Sequence, residues 1–395
     1  MLFSLALILI MGFSLSGIFA RLKLPGLLGM LITGVILGPY MLNLIADDIL
    51  NISKDLRQIA LIVILVRAGL SLDIEDLKRV GRPAILMCFV PATFELAATI
   101  IFAPIFLQVT YLEAAIMGTV LAAVSPAVVV PRMLKIMESG YGRDKSIPQL
   151  IMAGASVDDV YVIVLFTAFM GMYQGKGFSP LSLATVPISI LLGLLLGVLS
   201  GVVISKIFRK IHIRDTVKIL IILSVDFLFV TLEAALKPYV PIAGLLAVMA
   251  MGGTILKQNE LVAKRLSTKF SKIWVGAEIL LFVLVGASVD IRYVAGAGLM
   301  AVSLIFCALI FRVAGVYTCL FKTKLVNKEK LFCAISYLPK ATVQAAIGSI
   351  PLTSGVEAGN TILTVAVLAI IITAPLGAIG VDFSYRKLLQ KSNVT

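Results

Sequence analysis

The sequence predicts an all-α polytopic membrane protein with about thirteen transmembrane helices, in two inverted six-helix repeats whose discontinuous helices cross. Three observations predict it. Hydrophobic residues make up 60% of the 395 residues and charged residues only 14%, where soluble domains average about 45–50% and about 25%. Basic residues collect in alternate loops. Short motifs of the first half recur in the second, in the same order and at a nearly constant offset.

Apolar runs long enough to cross a hydrocarbon core of about 30 Å cover residues 2–19, 26–44, 57–74, 83–106, 113–135, 149–172, 183–206, 217–236, 241–257, 271–289, 295–321, 330–352 and 360–381. With basic residues at the ends of runs counted in the adjoining loop, 26 of the 34 Lys and Arg residues fall in loops after odd-numbered runs and 5 in those after even-numbered runs; Arg67, Arg312 and Lys340 lie well inside runs. A miscounted helix would scramble that parity. Basic loops stay cytoplasmic, so the N-terminus is expected outside and the C-terminus in the cytoplasm of a bacterial inner (plasma) membrane. Residues 2–19 lack a preceding basic segment and a convincing cleavage site, and read as the first span rather than a removed leader.

The net charge of +13 is thereby explained as a topology signal, and no nucleic-acid partner is expected. Cys88, Cys307, Cys319 and Cys333 lie in apolar runs without a CxxC spacing and read as small buried hydrophobes. The single histidine, His212, sits in a basic loop. A His-based metal centre or catalytic triad is excluded, and neither an enzyme activity nor a bound cofactor is expected.

The repeat shows at three places. Gly26-Leu27-Leu28-Gly29 with Gly34 recurs as Gly244-Leu245-Leu246-Ala247 with Gly252; Gly69 through Asp73-Ile74 recurs as Gly286 through Asp290-Ile291; Ser125-Pro126-Ala127 aligns with Leu338-Pro339-Lys340. The whole chain, 1–395, reads as one transmembrane unit: a first repeat at 1–172, a linker helix at 183–206, an inverted second repeat at 217–381 and a short tail at 382–395. An offset of seven helices is odd, so the halves insert in opposite senses, the sequence trace of alternating-access transporters.

Pro126 and Pro339 occupy matching spans. Each removes a backbone hydrogen bond and displaces the carbonyl one turn earlier, and in hydrocarbon the freed groups must line a cavity or be buried in protein. Broken helices crossing at mid-membrane bring helix ends together, with carbonyls near Val124 and Ser125 available to a small cation. The next span carries Ser156-Val157-Asp158-Asp159. A charge at mid-helix costs about 2.5–3.5 kcal/mol on the insertion scale, so two adjacent aspartates point to function. They project about 100° apart, so one is expected to face the ion path and the other a positive partner. A buried carboxylate holds either a proton or a cation, and that competition is the physical basis of antiport.

Glu95 and Arg312 are 217 residues apart, equivalent positions of the two repeats, and read as a salt bridge steadying the helices. Lys340, beside the Pro339 break, is placed to neutralise helix C-terminal dipoles or to pair with an aspartate. Arg67, Asp226, Glu233 and Glu278 have no motif around them and read as solvated helix ends, salt bridges or subunit contacts.

Together these features resemble the monovalent cation:proton antiporter superfamily, above all the NHA-type sodium/proton exchangers, with NhaA and NapA as more distant relatives. The resemblance covers nearly the whole chain and is most specific at residues 24–31, 64–70, 123–131, 156–159 and 338–344. It implies an NhaA-like fold whose six-helix core rocks as an elevator against a dimerisation domain, in homodimers embedded in lipid. It implies that Asp159 is the principal carboxylate for Na+ or Li+ and that Asp158 is its coupling partner. In relatives with paired aspartates, a lysine on the helix before the second broken helix often makes transport electrogenic. Here Arg312 occupies that helix. Arginine stays charged, so electroneutral exchange is expected. The alternative is a sodium-coupled organic-solute symporter of the bile-acid type, which would need an open polar cavity. A nucleotide-gated potassium efflux system would need a long C-terminal α/β domain, and a non-transporting scaffold would leave the aspartates unexplained.

Overall fold

The computed structural model describes residues 1–71, 81–176, 180–211, 213–236, 240 and 242–391, without the side chains of 156, 160, 175–187 and 291–297. Asp73 and His212 lie outside the described residues. Among the described residues the regular structure is all helix, joined by turns and short extended segments, apart from an isolated bridge between Tyr141 and Lys391. The helices are α1 (Leu2–Arg21), α2 (Gly26–Leu37), α3 (Asp47–Asn51), α4 (Ser53–Leu70), α5 (Arg82–Met87), α6 (Val90–Leu107), α7 (Tyr111–Ala122), α8 (Pro126–Glu138), α9 (Ile147–Gly171), α10 (Pro180–Lys210), α11 (Asp215–Leu236), α12 (Gly244–Gln258), α13 (Glu260–Ala287), α14 (Ile291–Cys319), α15 (Asn327–Ser336), α16 (Thr342–Ile347), α17 (Ile350–Thr353) and α18 (Gly359–Leu388). A short π-helical turn, Met172–Lys176, follows α9.

Among the described residues, each apolar run of the sequence falls mainly on one helix or on helices separated by a short break. Among the described residues, nine helical segments are long and apolar enough to span a membrane, and the apolar α2 and α12 are shorter. The chain is a multi-pass membrane protein. Outward-facing apolar side chains such as Phe3, Ile10 and Phe13 on α1 or Leu191 and Leu195 on α10 suit contact with lipid, where no water penalises them.

Two boundaries differ from the sequence reading. The basic segment expected as a loop at 257–272 is helical from Glu260 onward, because good helix formers and a Glu260–Lys264 pair at 2.5 Å, one turn apart, carry the helix past the apolar run. The basic stretch 206–218 shrinks likewise, with α10 running to Lys210 and α11 starting at Asp215.

The chain divides into two compact units, and each draws helices from both halves of the sequence. The first comprises Met1–Lys54, Asp73–Val162 and Leu281–Thr395. In it α6 packs along α14, α1 along α2, and α18 against α15. Gly34 of α2 meets the backbone of Val283 and Ala287 on α13, and Gly286 approaches the Gly34 Cα in return. Without a hydrophobic drive between helices in lipid, such small-residue contacts let backbones close in and gain dispersion energy.

The second unit comprises Asp55–Leu72 and Ile163–Leu280. Here α12 is flanked by α10 and α11. Gly193, Gly197 and Gly201 of α10, spaced one turn apart, lie on Ala243, just before α12, and on Ala247 and Met251–Thr254 within it. Gly69 of α4 meets Gly252 of α12. Gly34 with Gly286 and Gly252 with Gly69 are the pairs that the sequence offsets of 218 and 217 relate.

Asp226 corrects its sequence reading. It is fully buried on the α11 face that carries Ile222 and Phe229, and among the described residues both carboxylate oxygens lack a hydrogen-bond partner. The expectation failed because no local pattern distinguishes a buried from an exposed acid on a largely apolar helix. Glu233, on the same helix, accepts the Gly244 N–H at 2.9 Å and so satisfies a free donor at the start of α12.

Candidate functional site

Two helices of the first unit are broken at prolines. Helix α7 stops at Ala122, the backbone is extended from Ala123 to Ser125, and α8 starts at Pro126. Proline disfavours helical geometry in the residue before it and fits the first helical position, where its missing N–H is no loss. Between α15 and α16 the proline lies within the break itself and offers no N–H to continue α15. Tyr337 caps α15, the chain passes through Leu338, Pro339, Lys340 and Ala341, and α16 begins at Thr342. The two breaks touch: the Ser125 N–H donates to the Pro339 carbonyl at 2.8 Å. Gly377 of α18 lies against the Pro339 ring, and Thr373 Oγ1 accepts the Lys340 N–H at 2.9 Å.

Much of the freed backbone is already satisfied by side chains. Gln344 Nε2 donates to the carbonyls of Leu121 and Ala123 at 3.2 and 3.0 Å. Arg312 donates to the carbonyls of Ala122 and, at 2.6 Å, Tyr337. A fixed positive charge thus sits at the C-terminal ends of both α7 and α15, where helix dipoles are negative.

Arg312 is also the hub of the buried charges. It bonds Glu95 at 2.6 Å and Asp158 Oδ2 at 2.8 Å. Lys340 Nζ meets Glu95 at 2.5 Å, so its ion pair is with the glutamate and not with an aspartate. The physical reason is the second positive charge: Arg312 already covers Asp158, and Glu95 is left to balance both cations. All four groups are buried. Charges in such a place need partners with good geometry on every side, and this quartet supplies them.

Asp158 Oδ2 also accepts the Val124 N–H at 3.0 Å, one of the donors freed by the break. Among the described residues its Oδ1 has no partner. Asp159 is buried too, with an unpartnered Oδ1, and Ser125 Oγ, Thr342 Oγ1 and Gln344 Oε1 are likewise buried without a donor. The Ser156 side chain lies outside the described residues. The structure therefore gathers Val124, Ser125, Pro126, Asp158, Pro339, Lys340, Glu95 and Arg312 around one crossing, with Asp159 on the next residue of the same helix.

Sequence reasoning did not single out Gln344, Thr342, Tyr337 or Thr373. Gln344 had a signal: an amide inside an apolar run, four residues past Lys340, needs a buried partner. Tyr337 and the threonines had none, since each is common in apolar helices.

A family model described as "Sodium/hydrogen exchanger, transmembrane" matches residues 5–384. Mouse sodium/hydrogen exchanger 9B2 is 31% identical over 392 residues, spanning 93% of this chain and 69% of the relative. The human 9B2 protein is 32% identical over 383 residues, 93% of this chain and 70% of the relative, and human 9B1 is 31% identical over 386 residues, 93% and 73%. The fold is similar to the solved structure of the sodium proton antiporter MjNhaP1 from Methanocaldococcus jannaschii, with a TM-score of 0.86 over 97% of each chain at 21% identity. With nearly its whole length matched, this chain belongs to the transmembrane sodium/hydrogen exchanger family.

Proposed function

We propose that the chain is a secondary active transporter that exchanges Na+ (or Li+) for H+, with cation and proton competing for Asp159 and with Asp158 as its coupling partner. The observation that carries this reading is the crossing of the broken helices. Beside it stand two buried aspartates and a set of buried oxygens, on Asp158, Asp159, Ser125, Thr342 and Gln344, that lack donors. Unwound backbone and carboxylates at such a crossing are the means by which small cations are held in transporters of this plan. No observation among the described residues favours an organic-solute symporter.

The neighbours of each aspartate suggest a division of labour. Arg312 and the Val124 N–H both address Asp158, so its charge is compensated without a transported ion. Arg312 keeps its proton at any relevant pH. Asp159 is then the carboxylate free to trade one proton for one monovalent cation, and the exchange is electroneutral. The paired glycine crossings, at positions the repeats equate, support an inverted-repeat mechanism of alternating access. Elevator motion of a core against a dimerisation domain, a homodimeric working unit, and an N-terminus outside with the C-terminus in the cytoplasm complete the proposal, on the strength of the family resemblance and the charge asymmetry of the loops.

The test is collapse of a pH gradient in everted vesicles on adding sodium, lithium or potassium, with wild type and Asp159→Asn at equal expression. A sodium or lithium response that disappears in the variant supports exchange through that carboxylate. A wild type that is silent from about pH 6 to about pH 9, around the range where transported protons matter, would sink the proposal.

A further inference from the structure

Tyr337 takes no part in the exchange scheme above, yet three of its parts bear on the site. It is fully buried at the end of α15. Its carbonyl accepts the Arg312 Nε–H at 2.6 Å. Its ring lies beneath the same guanidinium, with Arg312 Cζ 5.5 Å from the ring centroid, a favourable cation–π distance. Among the described residues its hydroxyl has no hydrogen-bond partner, and it rests against Gly154 of α9. A Cβ on Gly154 would collide with that hydroxyl oxygen and would lie 2.9 Å from Met87 Cβ and 3.2 Å from Tyr337 Cζ.

Gly154 and Asp158 are four residues apart on one helix and share a face. The tyrosine therefore reaches from the helix face that carries Asp158 to the guanidinium that compensates Asp158. A buried hydroxyl without a partner is costly, and a phenylalanine would avoid that cost. What the hydroxyl adds is length, filled by the notch that glycine leaves. The rigid ring is held at three points: its backbone, its stacked face and its tip.

We propose that Tyr337 is a positioning residue for the exchange: wedged between Gly154 and Arg312, it sets where the guanidinium meets Asp158 and, through that, the cation affinity of the aspartate pair. The inference rests on the reading of Asp158 and Asp159 as the exchange site.

Initial rates of sodium-driven proton movement in proteoliposomes, measured against sodium concentration at one pH, test it. Gly154→Ala pushes the ring and Tyr337→Leu removes it. Both are expected to shift KM for sodium about tenfold, the lower end of what an opposite charge at contact distance does to a carboxylate. The maximal rate per folded molecule is expected to stay within about threefold. Combining Gly154→Ala with Tyr337→Phe deletes the colliding oxygen and is expected to return KM most of the way to wild type, the contacts with Met87 Cβ and the ring Cζ remaining. A merely structural role would lower the amount of active protein and the maximal rate, with KM unmoved. A wild-type KM in Tyr337→Leu, or a double variant no better than Gly154→Ala, overturns the proposal. Should Gly154→Ala fail to fold, the KM of Tyr337→Leu decides alone. Asp159→Asn in the same assay separates the two levels: exchange intact in that variant removes the site reading and this inference with it, whereas an inert Asp159→Asn beside an unmoved Tyr337→Leu removes this inference only.

Discussion

Arg312 faces two carboxylates, Glu95 and Asp158, and two helix-end carbonyls, those of Ala122 and Tyr337. Only a planar fork of donors can do this at once; the point charge of a lysine cannot. The pairing of Glu95 with Arg312 was approachable from the sequence because the two hold equivalent repeat positions. The partner of Lys340 was not, since a charge beside a helix break can turn to any carboxylate within reach. Asp226 is the residue whose environment the sequence concealed most fully. A buried acid with neither oxygen bonded is a net cost, and replacing it by an apolar group of similar size removes that cost. Asp226→Leu is expected to raise the thermal unfolding midpoint of the detergent-purified protein, by the equivalent of about 1–3 kcal/mol. A lowered midpoint would show that the carboxylate holds something worth more than its burial costs.

At the scale of elements, prolines and glycines do the shaping. Pro126 and Pro339 decide where α7 and α15 stop, and both were readable because proline acts on its own neighbours. What the breaks expose was not readable. Carbonyls near Val124 and Ser125 were expected to be free, yet that of Ser125 accepts the N–H groups of Val128 and Val129. Those just before the break are capped by Gln344 at Leu121 and Ala123 and by Arg312 at Ala122, from residues about two hundred positions away. Glycines divide into those that matter and those that do not by what lies opposite. A Cβ at Gly34 would meet the backbone of Val283 and Ala287, whereas one at Gly276 would meet nothing within 4 Å. Gly34→Ala is expected to destabilise the protein by about 1–3 kcal/mol through overpacking against backbone that cannot give way. Gly276→Ala is expected to be neutral or to stabilise by up to about 1 kcal/mol through helix propensity. Thermal unfolding of the two variants side by side is the check, and equal behaviour would refute the close crossing of α2 and α13.

For the molecule as a whole, the charge ledger of the buried quartet leads to a prediction about voltage. Arg312 and Lys340 are matched by Glu95 and Asp158, and in the proposed scheme Asp159 exchanges one monovalent cation for one proton. Sodium-driven proton movement in proteoliposomes is therefore expected to be unchanged when a potassium diffusion potential of about 100 mV is imposed, although that field would act on a single net charge with about 2.3 kcal/mol. A rate that follows the imposed potential would mean that a second proton moves, with Lys340 as the group to mutate next.

Membrane class, the positions of the spans, the two breaks and the intramembrane charges are all legible in the chain alone, because the cost of placing a polar group or a proline in hydrocarbon is local and is paid wherever that residue falls. Which charge meets which, that Gln344 closes the broken end of α7, that Asp226 stands unpartnered, and that Tyr337 lodges against Gly154 were decided only by the tertiary packing. Those contacts join residues as far apart as Glu95 and Lys340, 245 positions distant. Their geometry follows from how closely helices approach at a few small residues, and no local pattern encodes that distance.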